Sequence, residues 1–172
     1  MWRKIARALI NEVIREKEPS IVILCVGNEF RGDDSFGPYV AKKIKKLGVK
    51  GVVKVIDCGT TPENFTDVVR EIRPTHVILV DAVDFQGSPG DVILSFEPSF
   101  DELSVSTHKP SFALLTKYIR NSVGSKVILL GVQPKSIEWS SGMSNEVATA
   151  SEEVVKALRS FIKRLRVLLK ER

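Results

Sequence analysis

Apolar residues along the chain recur with two periods. Near the start, Trp2, Ile5, Leu9, Val13 and Ile14 fall close to helical spacing among charged residues, so residues 2–17 are expected to form an amphipathic helix. Pro19 ends it. A continuous apolar run follows over residues 21–26, of strand length and closed by Gly27-Asn28. A run with no polar alternation is the mark of a strand covered on both faces, which requires helices on both sides of the sheet.

The alternation then repeats. Residues 36–47 read as a helix, 52–56 as a strand, a helix opens at Pro62-Glu63, and 77–80 read as the next strand. A βαβαβ order implies a parallel sheet with right-handed crossovers. The turn Gly87-Ser88-Pro89-Gly90 leads into Val92-Ile93-Leu94, and the connection from Val80 is too short for a helical crossover, so this strand is expected to be an antiparallel edge. A loop containing His108, a helix over 111–121, a strand over 126–130 and a long helix from Asn145 complete the pattern. The predicted fold class is α/β: a three-layer α/β/α sandwich around a mostly parallel, twisted sheet of about five strands. At 172 residues and 43% hydrophobic content the chain suits one domain over residues 1–172.

Composition narrows the function classes. No apolar stretch approaches the roughly 20 residues of a membrane-spanning helix, and Asn11, Glu12 and Arg15 interrupt the start before a signal peptide's apolar region can develop, so a cytoplasmic location without membrane insertion is expected. Cys25 and Cys58 sit within or just after strand patterns and suit small core residues of a reducing compartment. The net charge of +5 is concentrated in the last helix, at Lys156, Arg159, Lys163, Arg164, Arg166, Lys170 and Arg172. No aromatic residues are interleaved as stacking platforms, so a solvated helix face is favoured over nucleic-acid binding.

The acids stand where the strands end. Asp33-Asp34 follows the first strand, Asp57 the second, and Asp81 with Asp84 the third. In open parallel sheets these carboxyl ends line one edge, where ligands bind. His108 can reach the same rim from the edge strand. Asp34, Asp81 and His108 together offer two hard oxygens and an imidazole, a set suited to a divalent ion with one position left open for water or a substrate carbonyl. Asp33 and Asp57 would orient ligands or complete the turns, with Asp33 a candidate cap for the helix at Phe36; Asp57 and Asp84 taken singly read as turn caps. His76, beside a core strand, reads as a packed or surface histidine. The spacing Gly27…Gly32…Gly37 is not a dinucleotide fingerprint, and neither a phosphate-binding P-loop nor a G-x-S-x-G elbow occurs.

The string Gly27-Asn28-Glu29-Phe30-Arg31-Gly32-Asp33-Asp34-Ser35-Phe36-Gly37 resembles the G-N-x-x-x-x-D-[DE]-x-x-G signature of [NiFe]-hydrogenase maturation endopeptidases. Asp57-Cys58-Gly59-Thr60, Val80-Asp81-Ala82, Ser106-Thr107-His108 and Leu130-Gly131-Val132-Gln133-Pro134 extend the resemblance in order. Cys58 stands where the family's turn usually has its first glycine, Ser35 where many members have glycine, and residues 1–19 form an extra N-terminal helix. The resemblance implies that Asp34, Asp81 and His108 are both the catalytic and the metal-binding residues. It implies a divalent metal, nickel first, supplied by the substrate, and removal of a C-terminal extension from a hydrogenase large-subunit precursor after nickel insertion. Metal-assisted and aspartic-type hydrolysis both fit it, and a monomer is favoured. The alternatives are a non-catalytic metal-binding assembly factor for the same large subunit, which would use the same residues, and a small-molecule hydrolase on the same scaffold.

Overall fold

The computed structural model describes residues 1–99 and 109–170, apart from the side chains of residues 109–111. In chain order the elements are α1 (Trp2–Val13), β1 (Ile21–Cys25), α2 (Phe36–Ile44), β2 (Val53–Asp57), α3 (Thr66–Ile72), β3 (His76–Ala82), β4 (Val92–Phe96), α4 (Lys109–Tyr118), β5 (Lys126–Val132) and α5 (Asn145–Lys170). The sheet runs β2-β1-β3-β5-β4. Strands β2, β1, β3 and β5 are parallel, and β4 closes the edge antiparallel to β5, as the short connection required.

Strand geometry sends successive side chains to opposite faces, and the core divides accordingly. Ile21, Ile23, Cys25, Ile78, Val80, Ile128 and Leu130 meet α1, α2 and α5 on one side. Val22, Leu24, Val77, Leu79, Val127 and Leu129 meet Val69 of α3 and Phe112, Leu115 and Ile119 of the α4 region on the other. The result is the expected three layers. Helix α1 lies against α5, with Ile5, Leu9, Ile10 and Val13 buried. It stops at Val13, short of the expected residue 17, because Arg15 and Glu16 donate to carbonyls three residues back and the tightened turn directs the chain to Pro19.

The basic residues of α5 behave as a solvated face with specific tasks. Lys156, Arg159, Lys163, Arg164 and Arg166 are exposed. Arg159 and Arg166 donate to the carbonyls of Lys43 and Leu47, at and beyond the end of α2, and Lys156 pairs with Glu153 at 3.2 Å. Both cysteines are free and buried.

At the amino ends of the strands, α1 is fastened by charge. Glu12 lies 3.2 Å from Lys126 and 3.7 Å from Nε2 of the buried His76, whose Nδ1 is 2.9 Å from the Thr75 hydroxyl; Glu16 also pairs with Lys126. Burial, with Lys126 adding to it, holds the imidazole below its ordinary pKa against the smaller opposing pull of Glu12 and Glu16. The unfolded chain therefore gains a proton near pH 6.5 that the folded chain resists, so the stability associated with neutral His76 is complete above about pH 6.5 and declines as the pH falls below it. Glu12 works in the same direction at lower pH: burial raises its pKa, but Lys126, Arg15 and His76 together bring it below the ordinary carboxylate value. The melting temperature is expected to fall between about pH 7 and pH 5, and His76→Gln to flatten that decline; an identical slope in the variant, by thermal melting across the range, would remove His76 as its cause.

Candidate functional site at the carboxyl rim

The rim is built around a tight turn after β1. Gly27 has φ of +143°, and a Cβ there would stand 2.0 Å from the Asp34 carbonyl oxygen; one on Gly37 would stand 1.9 Å from the Val26 carbonyl oxygen. Only glycine permits these approaches, and they fold residues 28–34 back over the end of the strand. Asn28 organises the turn. Its N–H donates to the Asp34 carboxylate (3.0 Å) and its side-chain oxygen accepts from the N–H of Phe30 (3.0 Å). Asp34 is buried within the short helical turn Gly32–Ser35, which packs on β3.

Asp81 lies in β3, level with Gly131 of β5, one residue past Val80, the partner of Cys25 at the end of β1. It is fully buried. Two of the three expected functional residues, Asp34 and Asp81, are thus carried to the same rim by elements in contact. His108 lies outside the described residues. Among the described residues no group of three or more His, Cys, Asp or Glu is placed to hold a metal ion. The two carboxylates are hard oxygen donors of the kind a divalent cation takes.

Asp33 does something other than cap α2. Its carboxylate accepts from the N–H groups of Lys135 (2.7 Å), Ser136 (3.1 Å) and Ser144 (2.7 Å) and from the Ser144 hydroxyl (3.0 Å). No side chain caps the helical turn it belongs to. The carboxylate instead ties the loop between β5 and α5 to the loop after β1, a role that no local spacing discloses because its partners lie more than 100 positions away. Gln133 is a second tie. Its Oε1 accepts from the N–H groups of Phe85 and Gly87, both at 3.0 Å, and its Nε2 donates to Asp84 at 3.1 Å. Asp84 also accepts from the N–H of Gln86, and the exposed Asp57 accepts from the N–H of Gly59, so both act as turn acceptors.

The environment of both cysteines disfavours the thiolate. Burial, with smaller contributions from Cys58 and Asp57, raises the Cys25 thiol well above its usual value, and burial with Asp57 pushes Cys58 up to about 12. Neither is a thiolate near neutral pH. A cavity of about 910 Å³ lies at the opposite, amino end of the sheet, lined by residues such as Glu16, Ser20, Val52 and Ile72, away from Asp34 and Asp81.

Aspartates gathered at the carboxyl end of a mostly parallel sheet, with both cysteines buried and no phosphate-loop motif in the sequence, mark an α/β protein with a carboxylate-lined rim. Comparison with known proteins makes the class specific. The family model described as hydrogenase maturation protease matches residues 38–160. The hydrogenase 3 maturation protease of Escherichia coli K12 is 35% identical over 141 residues, covering 81% of this chain and 89% of that one. The crystal structure of a [NiFe] hydrogenase maturation protease from Thermococcus kodakarensis is 30% identical, covers 90% of this chain and 99% of its own, and superposes with a TM-score of 0.78. An E. coli hydrogenase maturating endopeptidase at 22% identity, covering 88% and 93%, shares the fold with a TM-score of 0.67. The chain belongs to the hydrogenase maturation protease family, and its chemistry is that of a peptidase.

Among the described residues, no helix is long and apolar enough to cross a membrane.

Proposed function

We propose that this chain removes the C-terminal extension of a [NiFe]-hydrogenase large-subunit precursor once nickel has been inserted, using Asp34, Asp81 and His108. The observation that supports it most is the convergence of Asp34 and Asp81, on contacting elements, at the carboxyl rim of a chain of this family.

The nickel arrives as part of the substrate, and Asp34, Asp81 and His108 engage it, so that a precursor without the ion is poorly recognised. When bound, such an ion polarises a nearby carbonyl as a Lewis acid. One carboxylate takes a proton from water as the water oxygen adds to the scissile carbonyl carbon, and returns it to the departing amide nitrogen as the C–N bond breaks. The products are a mature subunit with a new C-terminal carboxylate and a released peptide with a free amine. The fixed turn around Asn28 holds the Asp34 carboxylate in place without reorganisation during the reaction.

Incubation of the purified chain with a large-subunit precursor, with and without nickel, followed by mass spectrometry of the precursor, tests this. Loss of a C-terminal peptide that depends on nickel is expected. Retained binding with no cleavage would assign the chain to non-catalytic assembly, and hydrolysis of generic amides with the precursor left intact would assign it to small-molecule hydrolysis.

A further inference from the structure

Beside the carboxylates stand two large aromatic side chains that the fold leaves in water. Phe30 is 66% exposed and Trp139 is 67% exposed. Isolated exposed apolar residues are ordinary, and Phe96, Leu114 and Val167 are such cases on three separate elements. Phe30 and Trp139 differ because two loops distant in sequence bring them together. The N–H of Ser140, next to Trp139, donates to the carbonyl of Phe30 (2.9 Å), and the Arg31 guanidinium lies 5.3 Å from the Trp139 ring centre.

The backbone beneath them is braced. The N–H of Gly32 donates to the Ser141 carbonyl (3.0 Å), that of Asp33 to the Ser136 carbonyl (2.9 Å), and the Asp33 carboxylate takes its four donors from the same loop. The brace continues into the proposed catalytic group, since Phe30 donates to the side chain of Asn28 and Asn28 to the Asp34 carboxylate. Exposed aromatic side chains on a braced backbone, a few hydrogen bonds from the proposed catalytic carboxylate, need little reordering of the loops that carry them on meeting a ligand. Its apolar area is recovered only when something covers it.

We infer that Phe30 and Trp139, with Arg31 stacked on the indole, form the substrate-positioning surface of this peptidase and take a hydrophobic side chain of the precursor segment next to the scissile bond. The inference rests on the proposed function for the identity of the polypeptide. The continuity of the aromatic pair with the Asp34 turn selects that segment over a second copy of the chain, whose docking there would cover the rim.

The test is steady-state cleavage of the nickel-loaded precursor by Phe30→Ser and Trp139→Ser, beside the conservative Phe30→Leu and Trp139→Phe. Each serine variant is expected to raise KM roughly 10- to 30-fold with kcat little changed, as loss of a central aromatic anchor does, and the conservative variants are expected to recover most of the loss. Unchanged KM in both serine variants, or a fall in kcat alone, overturns the inference. So does a wild-type dimer in solution that the serine variants dissociate while cleaving normally. Should the wild type bind the precursor without cutting it, the proposed function fails, and the same substitutions decide this inference through precursor binding: weakened binding supports it and unaltered binding overturns it.

Discussion

Asp34→Asn and Asp81→Asn are each expected to lower the rate of precursor cleavage by about 10²- to 10⁴-fold, the range over which a positioned acid-base group contributes. Asparagine keeps the shape of the side chain and one acceptor oxygen. At position 34 that oxygen can still accept from the N–H of Asn28, so the turn has no reason to open. What is lost is the negative charge, and with it the capacity to take a proton from water or to act as an anionic oxygen donor. Retained melting temperature with collapsed cleavage is therefore the expected pair of results, read by thermal melting and by precursor mass. Full cleavage by either variant would remove that carboxylate from the chemistry.

Asp33→Ala is expected to fail in the opposite manner. Removing this buried carboxylate leaves three backbone N–H groups and the Ser144 hydroxyl without their acceptor. Each buried donor left unpaired costs about 1–3 kcal/mol; these four are partly buried, so water replaces part of the loss and a total of roughly 3 kcal/mol is expected. For a chain of this size that lowers the melting temperature by about 6–12 °C. Amide hydrogen exchange should accelerate across residues 135–144, because those are the groups the carboxylate holds. An unaltered melting temperature accompanied by lost cleavage would move Asp33 from scaffold to chemistry.

Periodicity made the layered architecture legible before any coordinates. Fully apolar strands such as Ile21–Cys25 can exist only between two layers of helices, and the brevity of the link between Val80 and Val92 left only an antiparallel edge for β4. Strand order was not available from the same reasoning, since it depends on which crossover packs on which face. The helix ends also moved: α2 gives way at Lys45–Leu47 to a tighter helical turn, and α4 starts at Lys109 and passes after Tyr118 into a wider turn over Ile119–Val123. Those shifts are decided by local hydrogen bonding at the termini.

At the site, the rule that ligands gather at the carboxyl ends of parallel strands was enough to place Asp33-Asp34 and Asp81 on one rim, where the fold has them. It could not separate Asp33 from Asp34, which are adjacent, identical in chemistry and equally buried. Their tasks diverge because Asp33 faces the loop before α5, a contact between distant parts of the chain. Phe30 and Trp139 were invisible for the same reason: an aromatic residue in a loop shows its exposure only when the neighbours that might have covered it are known.

The brace at Asp33 also limits how this rim can diversify. With two loops pinned to each other through one carboxylate and a short ladder of backbone bonds, an inserted or deleted residue in either would dislodge both. The side chains of Phe30 and Trp139 are exposed and make none of the bonds of that brace, so they can change without loosening it, and Arg31, which lies over the Trp139 ring, can change with them. New substrate preference in such a scaffold is therefore reached by altering what the loops carry, at constant loop length, and the record of that divergence should be written in residue identity at these three positions.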